Sequence, residues 1–567
     1  MKKRIVSLML AAALAVSMLA GCGGGDSPGS ESSQSGSEQS ESSQSESSEE
    51  SEASNAQAEG LDNVNLEGFP IVKEPITVTM MGNKHGIHGD WDKMEFFQIM
   101  KEKTGIDFSF DTPPNEVLEE KKNLALNGGT YPEVMFATNL SREQQVKYGA
   151  QGILVPLEGY IEKYCPTIME FFEANPGIRG SVTAPDGHIY ALPQLMILPI
   201  ALAPSMWVNQ QWLEKLGVKA EDLPTTTDGF VELMKRFRDE DPNGNGEQDE
   251  IPFTIFDDGN KGDSIYANFL PAFGVMSAEI WSDDSGKIHY GMIDENTRAA
   301  FEWFNMLYSE KILNNNCFSQ GSADATAQGT EGLNGAGFHA LPRFVFGNMS
   351  VEEESKYPCM PALSSPQNPV QTTAKGNGIT QGTFALTDKC SEETAVAMMR
   401  WVDYLYTEEG TTLSHFGPEG HIWKTSEKDP AMKVWIQPAD GRNTEEVRGG
   451  EITPACGAGC PYWFKNEYYL MDDEQEIARK MWVEKNSWPY AKQVLPEMYL
   501  TEEEQAVVDT YMTDLRKFRQ ENSAKFVVGD KPFDEWDGFV EGMKAMGVDE
   551  VINAYQQAYD RWAEANH

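Results

Sequence analysis

Acidic and amide side chains alternate with glycine over residues 241–250 of this sequence, Asp-Pro-Asn-Gly-Asn-Gly-Glu-Gln-Asp-Glu. A hard cation such as Ca²⁺ takes about six to eight oxygen ligands, and such side chains at alternate positions of a tight turn present them from one side. Glycine permits the sharp bend. The segment therefore predicts a structural calcium site. The alternative is a loop that binds nothing, because Asn, Asp and Gly also favour ordinary turns.

The spacing in this segment is that of an EF-hand loop. Oxygen-bearing side chains fall at its first, third, fifth and ninth positions, and a backbone carbonyl falls at its seventh. The twelfth position, which holds a bidentate glutamate in an EF-hand, is Pro252. Glu250 would therefore have to supply the last ligand. The predicted calcium ligands are Asp241, Asn243, Asn245, Glu247, Asp249 and Glu250.

Motifs of catalysis are missing from the sequence. It contains no phosphate-binding loop of the Walker type, no His-Glu-x-x-His and no Gly-x-Ser-x-Gly. Of eight histidines only His85 and His88 form a close pair, and carboxylates are too numerous for a catalytic pair to be singled out. The sequence therefore supports no catalytic residue and no enzyme activity.

Thirteen tryptophans suggest a different chemistry, since the C–H faces of sugar rings stack on indole. Most tryptophans at helical spacing are expected in the core. Those in loop-like or strand-end settings are candidates for ligand contact. They are Trp91, Trp207, Trp423 and Trp463.

The first 22 residues are typical of an export signal. A basic start at Lys2, Lys3 and Arg4 precedes an apolar stretch, and small residues lead to Cys22. The apolar stretch is shorter than the roughly 20 residues of a comfortable membrane span. Leu-Ala-Gly-Cys resembles a bacterial lipobox, so we expect Cys22 to be acylated and to anchor the protein on the outer face of the cytoplasmic membrane. An ordinary cleaved signal is the alternative.

Residues 23–60 contain Gly, Ser, Glu and Gln and no aromatic residue. Such a composition buries too little apolar area to order itself, so we expect a disordered tether with an r.m.s. span of roughly 35 Å. The whole chain has 89 acidic and 45 basic residues and a formal net charge of −44. Nucleic acid and anionic lipid surfaces would be repelled and are not expected as partners.

The rest of the chain alternates strands and helices, which predicts an α/β fold in two lobes. A strand at 75–81, a helix at 94–105, a strand at 106–110, a helix at 115–126 and a strand at 133–137 make the first block. A second block begins near Met206. Its predicted elements are helices at 210–216 and 227–238, a strand at 252–256, and later helices at 294–313, 391–407, 501–521 and 533–561.

Six cysteines besides Cys22 are scattered along the chain, unlike a disulfide scaffold. Cys456 and Cys460 could close a small disulfide or contribute to a metal site, but no second pair or nearby histidine completes a zinc set. Buried, inert thiols are the favoured interpretation.

Several segments resemble the extracellular solute-binding lipoproteins of oligosaccharide ABC importers, in particular the long Firmicute type that is similar to alginate-binding proteins. The resemblance runs along nearly the whole mature chain. The segments that carry it are residues 19–22, 131–134, 183–193, 206–217, 224–227, 241–252 and 555–561.

The resemblance implies a two-lobe, periplasmic-binding-protein-like fold of type II with a hinge and extra C-terminal helices. The first lobe would comprise residues 61–200 and about 384–435, and the second about 201–383 and 436–567. The chain would cross between lobes near 199–204 and 376–384. The family's calcium positions match residues 241–250, with the glutamate next to the aspartate as last ligand.

The same resemblance implies a cleft ligand, with Asn83 and Trp91 at the cleft mouth, Arg343 close by and Trp463 as a stacking aromatic. An oligosaccharide, the permease subunits of an ABC transporter and the lipid anchor are the implied partners, and a monomer is expected. ATP hydrolysis would belong to a separate subunit. Rival interpretations are a surface lipoprotein enzyme acting on polysaccharide and a ligand sensor for a membrane kinase. The identity of the sugar is left open.

Overall fold

The computed structural model describes residues 61–256, 263–347 and 349–566. The signal, Cys22 and the tether lie outside the described residues. The strands are β1 Ile76–Gly82, β2 Ile106–Asp111, β3 Val134–Phe136, β4 Leu192–Met196, β5 Met206–Val208, β6 Ile280–Ser282, β7 Ile288–Tyr290, β8 Ala336–Phe338, β9 Thr373–Lys375, β10 Ile379–Leu386, β11 Trp423–Thr425, β12 Lys433–Trp435, β13 Trp463–Phe464 and β14 Ala491–Gln493.

The α-helices are interspersed with these strands along the described residues. They are α1 Glu95–Thr104, α2 Asn115–Gly128, α3 Arg142–Ala150, α4 Glu158–Tyr164, α5 Pro166–Ala174, α6 Pro176–Val182, α7 Pro199–Leu202, α8 Gln210–Leu216, α9 Thr227–Asp239, α10 Asp263–Phe269, α11 Thr297–Ser309, α12 Ser322–Thr330, α13 Arg343–Phe346, α14 Val351–Glu354, α15 Glu392–Leu405, α16 Glu408–Phe416, α17 Thr444–Val447, α18 Glu474–Asn486, α19 Glu502–Val528, α20 Trp536–Ala545 and α21 Val548–Asn566. None of the described helices is long and apolar enough to cross a membrane.

A six-stranded sheet in the order β13-β4-β10-β3-β1-β2 forms the centre of the first lobe. β1 runs parallel to β2 and β3, while β10 is antiparallel to β3 and β4. The carboxyl ends of β1, β3 and β4 and the beginning of β10 therefore meet at one edge, which we call the carboxyl edge. Ligands of open α/β sheets bind at such an edge.

Aromatic side chains fill the core under this sheet. Trp401 of α15 is fully buried, with ring centroids 5.5 Å from Phe108, 5.6 Å from Phe136 and 6.1 Å from Phe96. Each buried aromatic of this size removes a large apolar area from water, which is the main stabilising contribution. The strands and helices predicted over residues 75–137 are confirmed, with ends shifted by a few residues.

A separate core holds the second lobe together. Its members come from residues 206–363 and from α19, α20 and α21, and it contains no side chain of the first core. The strand predicted at 252–256 is absent there: Ile251 and Thr254 make single bridges to Asn334 and Gly337 of one segment, and Phe253 makes one to Leu313 of another, without forming a continuous ladder. The single helix predicted at 533–561 is also wrong, because the chain breaks between α20 and α21 at Gly547, whose φ is +89°.

Three chain segments cross between the two cores. The first lies between Ala203 and Met206, and the second between Ala374 and Phe384. The third follows α18 and contains β14, which pairs in parallel with β9 of the second crossing. Residues 436–471 still belong to the first lobe, since β13 joins its sheet and Ile452, Phe464 and Met471 lie in its core. The return to the second lobe thus falls later than the boundary at 436 expected from sequence.

Cys456 and Cys460 are not joined by a disulfide, and both thiols are buried. The Cys456 Sγ donates a hydrogen bond to Glu445 Oε2 at 3.0 Å, and burial raises its pKa to about 12. Thiols held protonated in this way are poor nucleophiles and poor metal ligands.

Asp403 of α15 gives the first lobe a pH-dependent stability. Its Oδ1 accepts a hydrogen bond from the backbone N–H of Ile168 at 2.8 Å, and burial raises its pKa from 3.8 to about 6. The folded protein therefore holds this proton more tightly than the unfolded chain does. The contribution of this proton to the stability of the folded state is fully present below pH 3.8 and is lost as the pH rises through about 6.

The substitution Asp403→Asn removes this titration while keeping an oxygen for Ile168. We expect the free energy of unfolding of the variant, relative to that of the unmodified protein, to rise by about 2–3 kcal/mol between pH 4 and pH 7. Denaturant unfolding at several pH values measures the difference. A difference that stays constant with pH would show that Asp403 titrates normally.

Candidate functional site

Polar groups without partners line the carboxyl edge of the first lobe. Asn83 directly follows β1, and its Nδ2 donates to Asn115 Oδ1 at 3.1 Å, but its Oδ1 is buried without a partner. The hydroxyl of Thr138, after β3, is also buried and unpaired. Gln381, near the beginning of β10, has both amide atoms buried and unpaired. Buried groups of this kind need a hydrogen-bond partner, which a polar ligand at this edge would supply.

The backbone at this edge is strained as well. Ala137 and Asn139, after β3, have φ values of 55° and 49°, which non-glycine residues rarely adopt. Opposite them, the register of β10 against β4 shifts between Thr380 and Phe384. Strained residues and β-bulges concentrate at functional sites, where they direct side chains out of regular ladders.

An ion pair ties the carboxyl edge to the third crossing. The guanidinium of Arg142, at the start of α3, pairs with Glu497, and Asn377 of the second crossing donates to the same carboxylate. Burial lowers the pKa of Arg142. Tyr499 lies beside this pair, with its ring centroid 5.6 Å from the guanidinium carbon. The ion pair therefore joins the first lobe to two of the three crossings.

The histidine pair after β1 has a structural role. His88 Nε2 lies 2.5 Å from the carbonyl oxygen of Cys456, and its Nδ1 accepts from the backbone N–H of His85 at 3.1 Å. This arrangement needs a neutral ring with its hydrogen on Nε2. Burial lowers the pKa of His88 and so favours that form. The ring fixes the loop after β1 against residues 449–457.

On the second-lobe side, a cavity of about 570 Å³ lies between the first crossing and β8. It is lined by Ile200 of α7, Ser205 of the first crossing, Phe338 of β8 and Arg479 of α18. Arg479 donates to the carbonyl of Ile200 at 3.0 Å. A cavity of this size beside a chain crossing fits a small ligand.

Three of the tryptophans predicted for ligand contact have buried rings. Trp91 and Trp207 are each 1 % exposed: Trp91 packs on Phe97 with centroids 5.4 Å apart, and Trp207 Nε1 donates to the carbonyl of His339 at 2.8 Å. Trp423 is 8 % exposed, and its Nε1 donates to the carbonyl of Gly417 at 3.0 Å in the hairpin of β11 and β12. In this conformation packing covers Trp91 and Trp207, whereas Trp423 lines a surface cavity together with Tyr404 and Lys433.

Arg343 and Trp463 are more accessible. Arg343 lies in α13, and its Nε and Nη2 donate hydrogen bonds to the carboxylate of Glu354 at 2.6 and 2.7 Å. Trp463 lies in β13, half-buried, with Phe171 beside it and the Lys465 Nζ 3.9 Å from its ring centroid. The structure thus places Asn83 and Trp463 in the first lobe and Arg343 in the second.

The sequence analysis did not find Thr138, Arg142 or Gln381. No motif surrounds them, and only strand pairing across more than two hundred residues brings Gln381 close to the loop after β3. Two backbone hydrogen bonds show this proximity. The N–H of Leu140 donates to the carbonyl of Gly382 at 3.0 Å, and the N–H of Ala137 donates to the carbonyl of Thr383 at 2.7 Å.

The acidic loop after α9 is folded back on its own side chains. The carboxylate of Asp241 accepts from the backbone N–H groups of Gly244 and Gly246 at 2.8 and 3.2 Å, and the amides of Asn243 and Asn245 donate to Asp249 at 3.0 Å. Asp241 has a φ of 46°, and both glycines have positive φ values. The oxygen-bearing side chains thus surround one turn.

Glu250 shows that this loop fits a cation. Its Oε1 is buried without a hydrogen-bond partner, and burial, followed by the charges of Asp249 and Asp241, raises its pKa. A cation would satisfy this oxygen and neutralise the three carboxylates. Within the described residues, no three side chains from His, Cys, Asp and Glu converge as a metal site, so amide and carbonyl oxygens must complete the ligand set.

Two cores, three crossings and a polar edge between them define a two-lobed binding protein. Residues 89–412, more than half of the chain, match the family of bacterial extracellular solute-binding proteins, and the chain belongs to that family. As a member of this family, the chain is a solute-binding protein rather than an enzyme.

A fructooligosaccharide ABC transporter substrate-binding protein, FusA of Streptococcus pneumoniae serotype 4, is 24 % identical over 526 residues, covering 88 % of this chain and 93 % of FusA. Two FusA structures, one with kestose and one of its EF-hand mutant with fructo-nystose, each match with a TM-score of 0.69 and 21 % identity. Each match covers 86 % of this chain and 100 % of the FusA chain in that structure. An HMO-binding, ABC-transporter-associated solute-binding protein from Bifidobacterium longum infantis has a TM-score of 0.71 and 17 % identity, covering 86 % and 99 % of the two chains. These likenesses support the two-lobe fold.

Proposed function

We propose that this protein binds an oligosaccharide between its two lobes and delivers it to the permease of an ABC transporter. The buried, unpaired hydrogen-bonding atoms of Asn83, Thr138 and Gln381 at the carboxyl edge carry this proposal. Sugar hydroxyls donate and accept at once, so they can satisfy amide and hydroxyl groups alike. The fructooligosaccharide relative supports the same ligand class.

The proposed mechanism requires only that the ligand make more contacts in the closed conformation than in the open one. A sugar on the carboxyl edge that also touches the second lobe favours the closed form by the additional contacts it makes there. The three crossings allow the lobes to move relative to each other, and the permease would recognise the closed form. Asn83 and Trp463 would contact the sugar from the first lobe, and Arg343 from the second.

Calcium is proposed for the loop at 241–250. The ion would be held by the side chains of Asp241, Asn243, Asn245, Asp249 and Glu250 and by the carbonyl of Glu247. Bound there, it supplies a structural cross-link that neutralises the carboxylates. The loop joins α9 to Ile251, whose backbone N–H donates to the carbonyl of Leu333 at 2.8 Å, so the cross-link would stabilise the second lobe. The EF-hand mutant of FusA supports this interpretation.

The proposal includes acylation of Cys22 and a tether that holds the lobes off the membrane. Membrane fractionation of cells tests it, since a Cys22→Ala variant would then appear in the medium. Retention of that variant in the membrane fraction would contradict lipid anchoring.

Binding of kestose and a panel of other oligosaccharides to the calcium-loaded protein tests the function directly. We expect a rise in melting temperature and a dissociation constant in the micromolar range or below for at least one sugar, which is returned unchanged after long incubation. If no oligosaccharide shifts the melting temperature, the proposed ligand class is wrong.

Trp463→Ala is expected to weaken binding of the best sugar by about tenfold, equivalent to about 1.4 kcal/mol, because an indole face that stacks on a sugar would be lost. Isothermal titration measures the change. Trp435→Ala is the matched control, since Trp435 is also a half-buried tryptophan on a short strand of the first lobe but lies in the two-stranded hairpin and not in the six-stranded sheet. Equal losses in both variants would exclude direct contact by Trp463.

A further inference from the structure

We propose that Gln381 recognises a pair of neighbouring hydroxyl groups on the ligand and so links occupancy of the site to the second crossing. The inference rests on the proposed function and makes it more specific, because it names the ligand group and the residue that recognises it.

A β-bulge directs Gln381 out of the regular ladder. Ile379 and Thr380 pair with β4 in one register and Phe384 pairs in another, so the residues between them leave the ladder. Gly382, next to Gln381, has a φ of +63°, and a Cβ there would lie 2.1 Å from the carbonyl oxygen of Leu140. Only glycine allows this close approach of the two backbones. The conformation beside Gln381 is therefore imposed by glycine and the bulge.

The amide of Gln381 differs from a structural amide in the same lobe. Both its nitrogen and its oxygen are buried without a partner. Gln145 is also buried, but its Nε2 donates to the carbonyl of Leu140 at 2.8 Å and its Oε1 accepts from the hydroxyl of Tyr499 at 2.7 Å. An amide that only stabilised the fold would have such partners, since an unpaired buried amide destabilises the folded state. Gln381 thus lacks the bonds of a structural residue.

The position of Gln381 connects it to lobe movement. It lies within the second crossing: Ala374 packs on the second core, Phe384 lies in the first, and Asn377 between them contacts Glu497 of the third crossing. Its neighbour Thr380 donates to Gln194 Oε1 of β4 at 2.9 Å. A ligand held by Gln381 therefore acts on the segment about which the lobes must rotate, and closure can depend on it.

The chemistry of the amide restricts the ligand group. Nε2 offers donors and Oε1 offers an acceptor, so full satisfaction requires a group that accepts at one point and donates at another. Two adjacent hydroxyls of a neutral sugar do both. A carboxylate only accepts and an ammonium only donates, so either would leave one end of the amide unpaired. At the point of contact, Gln381 thus favours a pair of hydroxyl groups over a carboxylate or an ammonium group.

Gln381→Met tests the proposal against Gln145→Met, because methionine keeps the length of glutamine without its polar atoms. For Gln381→Met we expect an unchanged or higher melting temperature without sugar, and at least tenfold weaker binding of kestose or of the panel sugar with the largest shift. For Gln145→Met we expect a lower melting temperature. Both variants are measured by thermal unfolding and isothermal titration.

Two results would overturn the proposal: a melting temperature for Gln381→Met as low as that of Gln145→Met, or undiminished sugar affinity in Gln381→Met. Failure of the proposed function is distinguishable, because the unmodified protein would then bind no oligosaccharide. A deoxy analogue of the same sugar adds a further readout. The deoxy analogue should bind the unmodified protein more weakly than the parent sugar does. This difference in affinity should disappear in Gln381→Met if the missing hydroxyl is one that Gln381 binds.

Discussion

Asp241→Ala is expected to abolish the stabilisation of the protein by calcium. Asp241 holds the turn through two backbone N–H groups and is the first of the proposed ligands. A ligand that binds only the folded state stabilises it by about 3–4 kcal/mol when present at 100 to 1,000 times its dissociation constant. Removing calcium with a chelator should therefore lower the melting temperature of the unmodified protein clearly and that of the variant hardly at all.

Differential scanning calorimetry with and without chelator measures this effect, and elemental analysis counts the bound metal. Asp284→Ala is a suitable control, since Asp284 is an exposed aspartate of the same lobe whose contact is a surface ion pair with Lys492. That variant should keep the full calcium response. A melting temperature of the unmodified protein that does not respond to the chelator, together with absence of metal, would contradict the assignment.

Tyr499→Ala is expected to lower the free energy of unfolding of the first lobe by about 3–5 kcal/mol. Tyr499 belongs to the third crossing, between Leu495 and Leu500 of the second core, yet its buried ring packs among the side chains of the first lobe. Its hydroxyl donates to Gln145 at 2.7 Å. Truncation would leave a cavity and release this crossing, so the unfolding transitions of the two lobes should separate in calorimetry.

Tyr499→Phe distinguishes packing from hydrogen bonding. It keeps the ring but leaves Gln145 Oε1 without its donor, for which we expect a smaller loss of about 1–3 kcal/mol. If the alanine variant were no less stable than the phenylalanine variant, or if the two lobes still unfolded in one transition, the ring would not tie the third crossing to the first lobe.

The regular elements of the first lobe could be predicted because their signals are local. The apolar strand before α1, the glycine that ends that helix at residue 105 and the next strand all lie within a few residues of one another. The predictions that were wrong depended on distant partners. Residues 252–256 are apolar enough for a strand, but whether they form one depends on which segments lie beside them in the folded protein.

The candidate site divides in the same way. The loop at 241–250 is contiguous, so its proposed ligands could be predicted from residues close in sequence, Glu250 included, although the EF-hand spacing itself fails at Pro252. The edge formed by Asn83, Thr138 and Gln381 comes from three strands, and a buried, unpaired amide leaves no trace in the sequence. Tryptophan identity was also an insufficient signal, because indole serves in cores as often as on ligands.

The sequence by itself determined what depends on neighbouring residues: the α/β alternation, the oxygen-rich loop and the family resemblance. Export and lipid anchoring remain predictions of the same kind. The tertiary structure alone decided what depends on contacts between distant residues, namely the three crossings, the later return to the second lobe, the burial of Trp91 and Trp207, and the bulge at Gln381. The physical reason is the separation along the chain of the residues that interact. Turns and helix ends are governed by local backbone and side-chain chemistry, whereas burial and unpaired polar groups are properties of the packed chain as a whole.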